Sequence, residues 1–237
     1  MKISPLPLLV AVIAALLLLS AGPGTRLGWW DFGTGFLLMR WAFFAGAAAA
    51  ILALLLLLIP RTRRDSVPLL VAALIIGAVV AWVPWSGLQT VRSLPLIHDI
   101  TTDTTNPPEF VAVLPLRADA SNPPEYPGEE TAAQQREAYP DIQPLRLPVA
   151  PAAAFERALE TAQGQGWDIV AAAPQEGRIE ATATTFWFGF KDDVVIRITP
   201  ENGASRIDMR SKSRVGRSDV GANAARIRAF FADLEGR

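Results

Sequence analysis

The stretch DDVVIRITPENGASRIDMRSKS, from Asp192 to Ser213, decides the fold of the larger part of this chain. In its first half Val194, Ile196 and Ile198 alternate with Val195 and Arg197, the period of an extended strand. Glu201-Asn-Gly203 interrupts the pattern with residues suited to a tight turn. Alternation then resumes, with Ser205, Ile207, Met209 and Ser211 opposite Arg206, Asp208 and Arg210. Upstream, Ile179, Ala181 and Ala183 alternate with Glu180, Thr182 and Thr184, and Trp167–Ala171 gives another extended run. Helical spacing flanks these strands. Phe155, Leu159 and Ala162 follow Pro151, and Val220, Ala224, Ile227, Phe230, Phe231 and Leu234 form a stripe over Asp219–Leu234. Helix, three or four antiparallel strands and a terminal helix predict an α+β fold, an antiparallel sheet with helices packed on one face.

Working outward, residues 86–150 carry ten prolines, from Pro95 to Pro148. Proline removes a donor and restricts its predecessor, so an extended arm with short strands is expected there rather than long helices. Phe110–Leu114 reads as one strand, Asp119–Gly128 as an exposed loop and Ile142–Leu147 as an extended segment able to add an edge strand. The arm reads either as a strap across the core at 151–237 or as one wall of a ligand or partner groove.

Residues 1–85 are a membrane anchor. The runs Ile3–Ala21, Phe36–Ile59 and Val67–Trp85 are 19, 24 and 19 residues long, and about 20 apolar residues span a bilayer as a helix. The first also has features of a cleavable signal peptide, with Lys2 ahead of it and Ser20-Ala21-Gly22 near its end. Arg40, near the start of the second run, is placed to snorkel toward the headgroups, and Trp29, Trp30, Trp41, Trp82 and Trp85 sit at or near run ends. Arg61, Arg63 and Arg64 cluster between the second and third runs. Positive residues beside a span tend to stay cytoplasmic, which places the N-terminus inside and residues 86–237 outside. In a bacterial cell this is a multi-pass inner-membrane protein with a periplasmic domain. The lack of cysteine fits an oxidising compartment.

From Ser86 onward, 16 Lys plus Arg stand against 21 Asp plus Glu, leaving −5. With no broad basic surface, nucleic acid is not an expected partner. Asp192 and Asp193 are adjacent, so an extended chain points them to opposite faces. Lys212, Arg214 and Arg217 gather around Gly216, ahead of a helix that Ser218 or Asp219 can cap, as an anion site requires. The competing reading pairs Arg214 and Arg217 with Asp192, Asp193 or Asp208. The phosphate-loop pattern GxxxxGK[ST] and the serine-hydrolase elbow GxSxG are both missing, and His98 is the single histidine. No metal or cofactor is expected. The candidate ligand or partner face comprises Asp192, Asp193, Arg197, Asp208, Arg210, Arg214, Arg217, Asp219, Asn223 and Arg226. The aromatic run Phe186-Trp-Phe188-Gly-Phe190 reads as core packing with a turn or, if exposed, as a lipid contact.

Several motifs resemble one family. They are His98-Asp-Ile-Thr-Thr-Asp-Thr, Asn106-Pro-Pro-Glu-Phe110, Tyr139-Pro-Asp-Ile142, Gly166-Trp167, Phe188-Gly-Phe-Lys-Asp-Asp-Val-Val195, Asp208–Gly221 and Asn223-Ala-Ala-Arg-Ile227. In number and order, over about residues 95–234, they resemble the domain of unknown function 1499, although Met209 stands where that family's strand is expected to hold valine. The resemblance implies one integral domain outside the spans, in proteins of bacterial envelopes and organelles, and carries no reaction with it. Two functions are therefore expected in competition. One is a noncatalytic extracytoplasmic module binding an envelope protein or an anionic lipid. The other is a hydrolase of an envelope polymer or phosphoester, using Asp192, Asp193 or Asp208 as acid or base and Arg214 against developing negative charge.

Overall fold

The computed structural model describes residues 5–63 and 67–236. Lys2 and Arg64, two of the charges used to orient the spans, lie outside the described residues. The chain forms two compact units, one of residues up to Arg92 together with Phe186–Gly189, the other of Ser93–Thr185 with Phe190 onward.

The first unit is helical. Helices α1 (Leu6–Arg26), α2 (Phe32–Leu58) and α4 (Val67–Ser93) are each long and apolar enough to cross a membrane, and α3 (Pro60–Arg63) is a single turn after α2. At 1.5 Å per residue, the 21 residues of α1 reach about 30 Å, the thickness of a bilayer's hydrocarbon layer. Many leucines and isoleucines face outward, as at Leu16, Leu19 and Ile51, while most of the buried apolar positions are alanine, as at Ala14, Ala21, Ala42, Ala49, Ala53 and Ala73. That is the reverse of a water-soluble bundle, and small inward residues let helix backbones approach. α2 and α4 come close at Gly46 and Gly77, where a Cβ on Gly46 would stand 2.9 Å from the Gly77 carbonyl oxygen. Asp31 caps α2 by accepting the Thr34 N–H at 3.0 Å.

The second unit is mixed α and β, as the alternation predicts. Its strands are β1 (Asp99–Thr101), β2 (Leu145–Leu147), β3 (Asp168–Ala173), β4 (Arg178–Thr184), β5 (Lys191–Glu201) and β6 (Ala204–Ser213). They form one antiparallel sheet ordered β1-β6-β5-β4-β3, with β2 also paired to β6. Between β5 and β6, Asn202 (φ 49°) and Gly203 (φ 78°) make a two-residue turn with both φ positive, the geometry that matches strand twist. Helices α6 (Pro151–Gly164) and α7 (Ala222–Glu235) cover one face. Ile179, Val194, Ile196, Ile207 and Met209 pack there against Phe155, Ala158, Ile227, Phe230 and Leu234, and Trp167 stacks on Phe230 with centroids 5.4 Å apart.

The arm departs from expectation in places. Phe110–Leu114 is not a strand; it runs through a turn into a 3-10 turn, Leu114–Arg117. Helix α5 (Glu129–Ala138) occupies a proline-free window where no helix was expected. The edge strand expected within Ile142–Leu147 is present as β2, and β1 is an unforeseen addition; the two meet opposite ends of β6 through Leu147↔Ser205 and Asp99↔Lys212.

Candidate functional site

Register fixes which charges meet. Asp193 on β5 stands opposite Thr182 on β4 and Lys212 on β6, and Asp99 on β1 stands opposite Lys212. These side chains, with Glu180, Arg197, Asp208 and Arg210, share the face away from α6 and α7, because side chains alternate along a strand. The face is nonetheless buried. The arm between Asn106 and Tyr126 lies over it, with Phe110 and Val113 packed on Val195.

Four carboxylates hold this face together. Asp99 accepts a two-point contact from Arg210 (Nε 2.9 Å, Nη2 2.8 Å) and a third bond from Lys212 Nζ at 2.9 Å. Arg210 also donates to the Pro108 and Pro124 carbonyls at 3.3 and 2.8 Å, its guanidinium between the Phe110 and Tyr126 rings. Lys212 donates to the Glu125 carbonyl at 2.6 Å. Asp193 accepts from Arg117 (2.6 Å), Arg214 (2.9 and 2.7 Å) and the Thr182 hydroxyl (2.7 Å). Glu180 accepts the backbone N–H groups of Val111, Ala112 and Val113 at 2.9–3.0 Å and is paired with Arg178. Asp208 joins Arg197 and Arg206, each at 3.0 Å, and Asp103 extends that cluster through Arg206 at 2.8 Å. Burial pushes the Lys212 ammonium below the ordinary lysine value, against the opposing pull of Asp99.

On the helix-covered face, Asp192 pairs with Arg226 at 2.6 Å. Asn223, fully buried, accepts from the Ser211 hydroxyl (2.7 Å) and donates to the His98 carbonyl and the Ser213 hydroxyl, each at 3.1 Å. Asp219 accepts the Gly221 and Asn223 N–H groups, both at 2.9 Å. Burial raises its pKa although those bonds oppose the shift. The start of α7 is thus satisfied by the chain's own carboxylate. Val220, between these residues, takes φ 53°, an uncommon conformation for a β-branched residue.

The ten residues of the expected face therefore divide. Asp192, Asn223, Arg226 and Asp219 lie at the start of α7; Asp193 and Arg214 form one buried cluster; Arg197 and Asp208 form another; and Arg210 belongs with Asp99. Arg217 alone of the ten is exposed without a side-chain hydrogen bond or ion pair among the described residues. Asp99, Arg117 and Glu180 are the members that sequence reasoning left out, and Lys212, read there as part of an anion site, is instead the buried partner of Asp99. Asp99 stood in a quoted motif and Glu180 in a recognised alternation, so the missing knowledge was what covers them.

The arm also frames a groove of about 370 Å³, lined by Asn106, Pro107, Glu109, Phe110, Leu114, Pro124, Glu125, Tyr126 and Arg210. Burial, then the charge of Asp99, pushes the Tyr126 phenol up to about 12, and its hydroxyl has no hydrogen-bond partner among the described residues. Among the described residues, no three His, Cys, Asp or Glu side chains converge as a metal site would require. Asp192 and Asp193 point to opposite faces and each is neutralised by arginine, so they do not present a shared acid–base pair.

A search among curated proteins returns no match to this chain. A family model described as protein of unknown function (DUF1499) matches residues 99–234, from the first residue of β1 to the last turn of α7. The match encloses the whole sheet, its helices and the arm's ionic contacts, and by it the chain belongs to the DUF1499 family.

Proposed function

We propose that this is a membrane-anchored envelope protein whose domain is extracytoplasmic and noncatalytic, and binds a protein or an anionic lipid. The observation that carries the reading is the contrast between Arg217 and its neighbours. Lys212 and Arg214 are consumed by Asp99 and Asp193, whereas Arg217 stands exposed in the loop between β6 and α7. Gly216 beside it has φ 93°, and its carbonyl accepts from the Asn122 side chain at 2.9 Å, which ties the loop to the arm. A fixed loop presenting an unneutralised guanidinium suits recognition of a carboxylate or phosphate. Orientation rests on the arginines at 61, 63 and 64. The hydrolase reading needs carboxylates converging on one substrate, and the divergence of Asp192 and Asp193 speaks against it.

The test is partner identification by mass spectrometry after gentle purification of the full-length protein in lipid nanodiscs, compared with Arg217→Ala. A protein or anionic lipid lost only from the variant supports the reading. An inventory unchanged by the variant removes Arg217 from it. Arg214→Ala is unsuitable here, because it strips a buried carboxylate of a partner and perturbs the fold.

A further inference from the structure

Phe186 is 92% exposed, the most exposed of the molecule's large apolar side chains among the described residues. Its surroundings are not those of a water-facing loop. Phe186–Gly189 belongs to the unit made by the three membrane helices. Trp187 packs with Ala14, Leu18, Ala42 and Val80, and a Cβ on Gly22 would overlap its indole. Phe188 lies against Phe36, with centroids 5.1 Å apart, and would meet a Cβ on Gly35. Arg26 donates to the Phe186 carbonyl. The turn is therefore fixed on both flanks, with Trp187 reaching Gly22, about 6 Å along α1 from Arg26. Trp29, Trp30 and Arg26 at this end of α1 are the residue types that mark a membrane–water interface.

Parity agrees. Three spans put the α1–α2 connection and everything after α4 on the same side of the bilayer, so this turn can reach that end of α1 without crossing lipid. An aromatic ring held there in water would leave most of its apolar surface unburied, whereas in the interface it is buried. We propose that Phe186 is inserted into the bilayer as a fourth, non-helical membrane contact, and that lipid is what covers it. The inference is independent of the role given to Arg217.

The chain has no cysteine, so Phe186→Cys in the full-length protein can be labelled uniquely with a nitroxide. The labelled protein is placed in phosphatidylcholine–phosphatidylglycerol nanodiscs, and collision with oxygen is compared with collision with a water-soluble nickel chelate. Leu16→Cys on the outer face of α1 serves as the lipid standard and Glu156→Cys, exposed on α6, as the aqueous one. Oxygen accessibility above nickel accessibility, as at position 16, is expected. Nickel accessibility matching position 156 overturns the proposal in favour of water. Low accessibility to both reagents also overturns it, since the site would then be covered by protein.

Discussion

The two faces of the sheet are held by different physics. Toward α6 and α7, Ile179, Val194, Ile196 and Met209 meet Phe155, Ile227, Phe230 and Leu234, and contact is by shape and exclusion of water. Toward the arm, Asp99, Glu180, Asp193 and Asp208 meet cations and backbone groups. The arm has no apolar stripe to bury, and its prolines carry carbonyls without matching N–H groups. Arg197, Arg210 and Lys212 supply the missing donors, to the carbonyls of Asn106, Pro108, Pro124 and Glu125. Glu180 in turn receives three successive N–H groups where the chain turns. An irregular segment is thus fixed by directional bonds, as a helix is fixed by packing.

The largest effect is expected at the hub of the ionic face. Asp99→Ala leaves Arg210 and Lys212 buried without their counter-ion and should cost roughly 3–5 kcal/mol, the usual penalty for breaking a buried pair. Denaturant unfolding of the full-length protein in nanodiscs reads it. Phe230→Ala on the opposite face should cost about 3–4 kcal/mol through the cavity it opens. Hydrogen exchange separates the two: the first variant loses protection in the arm and β1, the second in α6 and α7. Loss spread evenly in both variants would break the comparison. Glu180→Gln keeps the shape but has one carbonyl oxygen for three N–H groups, and should cost about 2 kcal/mol while opening residues 106–126 to protease. Arg228→Ala removes a two-point pair with Asp141 of the same chemistry as Arg210–Asp99, but exposed, and should cost about 0.5 kcal/mol.

The smallest effect concerns pH. Burial first, then the Lys212 charge, holds His98 below its ordinary 6.5. The unfolded chain therefore binds that proton more readily, and stability rises with pH from the lowered value up to 6.5. His98→Gln should flatten the pH dependence of the unfolding midpoint in that window; an unchanged slope would remove His98 from the account.

The helix-covered face was legible because its alternation carries isoleucine and valine, and the hairpin because Asn202-Gly203 has one dominant use. The other face was legible only in part, as a strap across the core and a candidate Arg214–Asp193 pair, for a definable reason. Charged residues alternating with apolar ones usually face solvent, and a proline-rich cover has no periodicity to betray it. Helix α5 was missed in the same way. Its buried positions are Ala132 and Gln135, and the Gln135 amide accepts the Thr101 N–H at 2.9 Å and donates to the Thr101 carbonyl at 2.7 Å. A side chain there does what a neighbouring strand would do, which no hydrophobic pattern records.

The position of β6 in the chain bears on how the domain is made. β1, β2 and β5 all pair with this one strand, and Asp99 finds Lys212 across 113 residues of sequence. Synthesis runs from the N-terminus, so the spans and the entire arm leave the ribosome before their partner strand exists. Until Ala204–Ser213 follows, β5 has an open edge, Asp99 has no cation, and the arm lacks the donors that Arg210 and Lys212 give the Pro108, Pro124 and Glu125 carbonyls. A chain halted before that strand is therefore expected to be cleaved more readily by protease than the finished one, because its unpaired edge and unmatched charges stay exposed.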